Sequence, residues 1–143
     1  MDTKQYLQQI ERLDKMIQNK LSEIYQLKTM ACSVTVSNDS ERVKTSSDKD
    51  ILCKVVSKIV DLEKETDRLV DSFIDLKKET MLIIRMIKSE RHREILFKKY
   101  LEQKSLYEIA EELGMTDRGC KKAHKRALEE FEKINCTKYC MYY

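Results

Sequence analysis

The chain has 143 residues, 41% hydrophobic and 37% charged, with a formal net charge of +3, no proline and only two glycines. That is enough for one compact domain, or for a small domain carrying a helical extension, and it leaves long helices uninterrupted almost everywhere. Apolar runs such as Met81 to Ile84 are far too short for a transmembrane span or a signal peptide, and five scattered cysteines, an odd number, speak against a disulfide framework, so a cytoplasmic protein with reduced thiols is expected. The charge is uneven: residues 1–48 carry seven basic and seven acidic side chains, residues 49–84 seven and eight, and residues 85–143 fourteen and ten.

In the first thirty residues Tyr6, Ile10, Leu13, Ile17, Ile24, Leu27 and Ala31 alternate steps of four and three, interrupted only by Lys20, which predicts a helix over about 3–31 with a coiled-coil seam. Residues 32–48 lose that period and are rich in Ser, Thr, Asn and Asp, so they read as a polar loop, with Ser47 and Asp50 placed to cap the next helix. Leu52, Val55, Ile59, Leu62, Thr66, Leu69, Phe73, Leu76, Thr80, Ile83 and Ile87 then keep the alternation throughout, which predicts one long helix over about 49–88. At about 1.5 Å per residue the two helices would span roughly 45 and 60 Å, so the second should protrude beyond the first in an antiparallel hairpin. Thr66 and Thr80 either fix the register of the seam or, more plainly, bond back to their own helix. Val56, Val60, Val70, Ile74 and Ile84 widen the apolar stripe beyond a two-helix seam, which points to self-association.

A further helix, from near Ser89 to near Gln103, offers Ile95, Leu96, Phe97, Tyr100 and Leu101 as a broad apolar surface. Between Leu106 and Lys125 the spacing is that of a helix-turn-helix. Ala110 lets two helices cross closely, Gly114 can take the positive φ of a tight turn, and Ile109, Leu113, Met115, Cys120 and Ala123 are the apolar locking positions. Ser105 and Glu108 form an S-x-x-E capping box, and Thr116 is an N-cap for the second helix. At 100° per residue Arg118, Lys121, Lys122, Lys125 and Arg126 share one arc, opposite Cys120, Ala123, Ala127, Phe131 and Ile134. No acidic residue interrupts 118–126, although Glu129, Glu130 and Glu132 follow at once. A solvated lysine-rich helix is the plainer account of such a run alone. Joined to the turn pattern, it is the footprint of a recognition helix in a major groove of double-stranded DNA. Arg91, Arg93, Lys98, Lys99 and Lys104 could add phosphate contacts.

The run Arg93-Glu-Ile-Leu-Phe-Lys-Lys-Tyr-Leu-Glu-Gln-Lys-Ser-Leu-Tyr-Glu-Ile-Ala-Glu-Glu-Leu-Gly-Met-Thr, with the Arg126-Ala127 pair, resembles region 4 of the sigma-70 family. Together with Tyr6-Leu7 to Leu13-Asp14, Arg42-Val43 in the Ser/Thr loop and Val60-Asp61-Leu62-Glu63, the chain from about 4 to 134 is similar to small region-4-like proteins of Gram-positive prophages, beside late-gene activators of the autolysin-regulatory type. The resemblance implies that Arg118, Lys121 and Lys122 face base edges with Asp117 beside them, that Thr116 caps the helix next to a phosphate, and that such a domain can dock on RNA polymerase. Gly119 and Cys120 depart from the family pattern: glycine costs up to ~1 kcal/mol of helix propensity, and a lysine-rich helix binds backbone more than bases.

The resulting expectation is an all-α protein: an antiparallel helical hairpin (1–88, coiled coil), a helix-turn-helix domain (89–135) and a frayed tail (136–143). Its partners would be double-stranded DNA, RNA polymerase and a second copy through the hairpin, with no membrane. No Gly-rich phosphate loop, paired His-carboxylate constellation or metal spacing points to an enzyme or a cofactor. Cys136 and Cys140 could share a helical face, but His92 and His124 complete no finger motif, so no metal is expected. The alternative is a protein-interaction module that docks through the hairpin with only non-specific DNA affinity.

Overall fold

In the computed structural model, which describes residues 2–37 and 46–141, every regular element is helical. They are α1 (Thr3–Ser37), α2 (Ser46–Arg85), α3 (Glu90–Leu96), α4 (Leu106–Leu113) and α5 (Asp117–Cys140), with the chain widening into one π-helical turn at Phe97–Leu101 directly after α3. None of the described helices is long and apolar enough to cross a membrane.

Helix α1 runs past the expected end at residue 31 to Ser37, and α2 starts at Ser46, so Ser47 lies within its first turn and not at a cap. Thr29 and Ser33 donate to the carbonyls of Tyr25 and Thr29, four residues back, at 2.9 and 2.8 Å; these hydroxyls join the helix in place of ending it. The expected Arg42-Val43 feature lies outside the described residues. At the far end α5 reaches Cys140, so residues 136–140 are the last turn of a 24-residue helix rather than a frayed tail.

Two compact units emerge. One comprises residues 13–72, the other residues 1–12 together with 73–143. Both α1 and α2 contribute to each, because packing divides the chain by which side chains meet and not by helix ends.

In the 13–72 unit α1 and α2 pack side by side and antiparallel. Ile17, Ile24, Leu62 and Thr66 are its buried seam. The polar interruption at Lys20 is resolved by an ion pair: its ammonium lies 2.7 Å from Glu65, which raises the lysine pKa and lowers that of the carboxyl, chiefly through that hydrogen bond. Lys28 pairs with Glu63 at 3.1 Å on one flank and Lys58 with Glu23 at 3.8 Å on the other. Such exposed pairs set register more than stability. Thr66 donates to the Leu62 carbonyl at 2.7 Å, the plainer of its two readings; among the described residues buried Thr80 has no hydrogen-bond partner.

The second unit has a deeper core. Leu7 of α1, Ile83, Ile84 and Ile87 of the α2 end, Leu96, Tyr100, and Ala127 and Phe131 of α5 form one buried cluster. The rings of Tyr6 and Phe131 stand 6.1 Å apart at 41°. Helix α2 therefore does not protrude alone: the first two turns of α1 accompany its last turns and share their core. Ile84, one of the residues that widened the stripe, is used up here at 4% exposure, whereas Val56, Val60 and Ile74 stay exposed. Arg93 donates to the Ile87 carbonyl at 2.8 Å, satisfying a backbone acceptor just past the end of α2.

Candidate nucleic-acid interface

The site is built on α4, a short turn and α5. Ser105 accepts from the Glu108 amide at 3.2 Å while the Glu108 carboxylate accepts from the Ser105 amide at 2.9 Å, so the capping box is complete. Gly114 ends α4 at φ 64, and the Met115 amide closes the turn onto the Ala110 carbonyl at 2.8 Å. Thr116 starts α5: its hydroxyl accepts from the Gly119 amide at 3.1 Å and its carbonyl from the Cys120 amide at 2.9 Å. A Cβ at Gly119 would fall 2.9 Å from that hydroxyl. Glycine at 119 thus leaves free the space the cap occupies.

Beneath the turn, Ile95, Ile109, Ala110 and Cys120 form a buried cluster, with Leu106, Leu113, Met115 and Ala123 packed against it. Every locking position expected from the sequence is in this cluster. Ile95 is the addition, tying α3 to the crossing of α4 and α5. Burial pushes the Cys120 thiol pKa up, with Asp117 adding to it, so the sulfur serves packing and not reactivity.

The outer face of α5 carries the expected cations. Arg118, Lys121, Lys122, Lys125 and Arg126 are all exposed, as are Thr116 and Asp117, while Ala127 and Phe131 are buried on the opposite side. Lys121 lies 3.5 Å from Asp117, both ends more than half exposed, a contact weak enough to yield to a phosphate.

The five basic residues expected as additional phosphate contacts separate into two groups. Arg93 is held by the Ile87 carbonyl. Lys98 and Lys104 both reach Glu112 of α4, at 2.6 and 2.7 Å, and Lys104 also reaches Glu102 at 3.1 Å. Hydrogen bonds from Lys104 and then Lys98 pull the Glu112 carboxyl down to about 2. These lysines clamp α4 to the π-helical turn. Among the described residues Arg91 and Lys99 make no such contact; Arg91 is exposed and Lys99 half-buried.

Sequence reasoning missed a buried polar pair behind α5. The Tyr100 hydroxyl lies 2.9 Å from His124 Nε2, the rings stack at 5.8 Å, and both residues are nearly inaccessible. Burial pushes Tyr100 up to about 12, with Asp2 adding to it. Burial lowers the His124 pKa, and Lys99 and Lys4 lower it further. The shift favours the neutral imidazole, whose Nε2 can accept a hydrogen bond from the Tyr100 hydroxyl. On the sequence His124 sat among cations at 118–126; only the π-helical turn, which sets Tyr100 opposite it, gives it a partner. Gln103, non-glycine at φ 59, follows that turn. His92 forms a separate contact, 2.8 Å from Glu130. Among the described residues no His, Cys, Asp and Glu side chains group as a metal site.

Residues 89–131 match the family model described as Sigma-70, region 4. The match spans α3, the π-helical turn, α4 and the first part of α5, and leaves out α1 and α2. No curated protein and no solved structure matches the chain.

Proposed function

We propose, from the region-4 match over residues 89–131, that this chain is a DNA-binding transcriptional regulator without catalytic activity, acting in the cytoplasm and encoded by a phage or prophage. The observation that carries the reading is the two-sided α5: five exposed cations on one face of a helix whose other face is locked into two buried clusters. Residues 89–135 serve as the DNA-binding module. Arg118, Lys121 and Lys122 reach base edges with Asp117 beside them, while Thr116, Lys125 and Arg126 meet the backbone. Arg91 and Lys99 are the auxiliary phosphate contacts of first choice, since Arg93, Lys98 and Lys104 already serve the fold. One recognition helix makes few base contacts, so tight binding draws on RNA polymerase or on self-association through the hairpin.

The test is duplex selection from random sequence at stated ionic strength, followed by the triple change of Lys121, Lys122 and Lys125 to alanine. The variant is expected to keep its helicity and melting temperature and to lose most affinity and most of the salt dependence. Arg118→Ala should instead relax sequence preference, losing about 1–3 kcal/mol on the best site. Unchanged affinity in the triple variant would remove α5 from DNA binding and favour the second reading, a protein-docking module, which the exposed apolar side chains of the hairpin also support.

A further inference from the structure

The exposed apolar residues of the hairpin are not scattered. Along α2, Val56, Val60, Glu63, Asp67, Val70 and Ile74 fall within an arc of about 80° at 100° per residue. Val56, Val60 and Ile74 are 47%, 42% and 42% exposed, and Val70 is half-buried. The Lys28–Glu63 contact fixes which flank of the hairpin this is, and the shorter Lys20–Glu65 contact sets residue 20 of α1 level with residue 65 of α2. Two antiparallel helices rise equally, so Leu21 and Tyr25 come level with residues 64 and 60 of α2; they are 47% and 72% exposed. On the opposite flank, marked by Lys58 and Glu23, α1 shows Met16 and Met30, but α2 answers with Lys58, Glu65 and Ser72, so no continuous apolar strip forms there.

The strip is also palindromic. Val56 and Ile74, Val60 and Val70, and Glu63 and Asp67 stand in pairs equidistant from residue 65. A two-fold axis beside residue 65 maps this surface onto itself, with apolar positions meeting apolar ones and the polar band staying at the centre. Self-complementarity under a two-fold rotation is the defining requirement of an isologous interface, and nothing in a surface meant for an unrelated partner calls for it.

We propose that this flank is the interface of a homodimer in which two hairpins pack antiparallel, with Val60 of each copy against Val70 of the other. The proposal gives a face and a register to the self-association invoked above, and it is read out without DNA. The dimer would present two recognition helices per molecule.

Sedimentation equilibrium of the full chain, with reductant to keep the exposed cysteines from linking, tests it. The wild-type chain should dimerise at low micromolar concentration. Val60→Glu and Val70→Lys should each raise the dimer dissociation constant by about a hundredfold with unchanged helicity, because each buries a charge against apolar surface. Val60 and Val70 are too far apart along α2 to pair within one chain, so the double variant should recover at least about tenfold only where position 60 faces position 70 of the second copy. Met16→Glu on the other flank should leave the dimer intact. A wild-type chain monomeric to about 100 µM, a dimer indifferent to Val60→Glu, or a double variant no better than its parents would each overturn the proposal. Because DNA is absent, such a failure leaves the DNA-binding reading standing, and loss of DNA binding by the lysine variant leaves the dimer standing.

Discussion

The two units of this chain are built from the same kinds of helix but hold together differently. In residues 13–72 two helices share a seam one side chain deep, in which Ile17, Ile24 and Leu62 keep 6–8% exposure and a threonine takes one position. In the unit made of residues 1–12 and 73–143, Leu7, Ile83, Leu96, Ile95, Ile109, Cys120, Ala127 and Phe131 are fully buried. Several helices meeting at angles enclose side chains completely, whereas two parallel rods leave each flank open. The part that carries the basic face of α5 has the enclosed core. The hairpin retains exposed valines and leucine that a second surface can use.

The sharpest way to break this comparison is to cut into both cores. Phe131→Ala should cost about 3–5 kcal/mol in denaturant unfolding, and Leu7→Ala about 2–5 kcal/mol, with DNA affinity expected to fall in both although both side chains are buried away from the basic face of α5. Leu62→Ala in the hairpin should sit near the low end of that range, about 2 kcal/mol, because the thin seam can collapse. Equal losses at Leu62 and Phe131 would erase the distinction. Leu7 carries a further consequence: a fragment of residues 85–143 lacks Leu7, Ile83 and Ile84, so it should be far less stable than the same region in the whole chain.

Next in size is the turn. Gly114→Val places a β-branched residue at φ 64, where open space around the new Cβ gives no relief from backbone strain, and about 1–3 kcal/mol should be lost by calorimetry. A full-strength melting temperature would mean that α4 and α5 can reach their crossing by another turn.

Two pH dependences sharpen the comparison further, since both belong to the unit with the enclosed core. His124 has a folded pKa below its ordinary 6.5, so the unfolded chain takes up the proton first. Stability is complete above 6.5 and falls as pH drops below it; His124→Gln, which keeps an acceptor for Tyr100, should flatten that slope in urea titrations between pH 7 and 5. Glu112, held down to about 2 by Lys104 and Lys98, contributes stability that is present above the ordinary carboxyl value of 4.5 and disappears as pH falls toward 2. Glu112→Gln should remove that acid slope. The effect is the smallest of the set, because the carboxylate is solvent-screened. An unaltered acid titration would show that the clamp on α4 is dispensable.

Local rules carried by single residues were legible in the sequence. The 3-4 spacing of α1 and α2, the Ser105–Glu108 box, the glycine at 114, the Thr116 cap and the two faces of α5 each depend on neighbours within about four residues, so spacing suffices to state them. The polar stretch after residue 31 misled because Ser and Thr satisfy a helix carbonyl as readily as they leave a helix, and only the fold decides which. The tertiary structure alone set the first turns of α1 into the core beneath α5, turned Lys98 and Lys104 onto Glu112, and gave His124 its tyrosine across a π-helical turn. Those pairings join residues 8 to over 100 positions apart, and chain spacing encodes no distance at that range; they arise from which surfaces close around Phe131 and Ile109 once the helices meet.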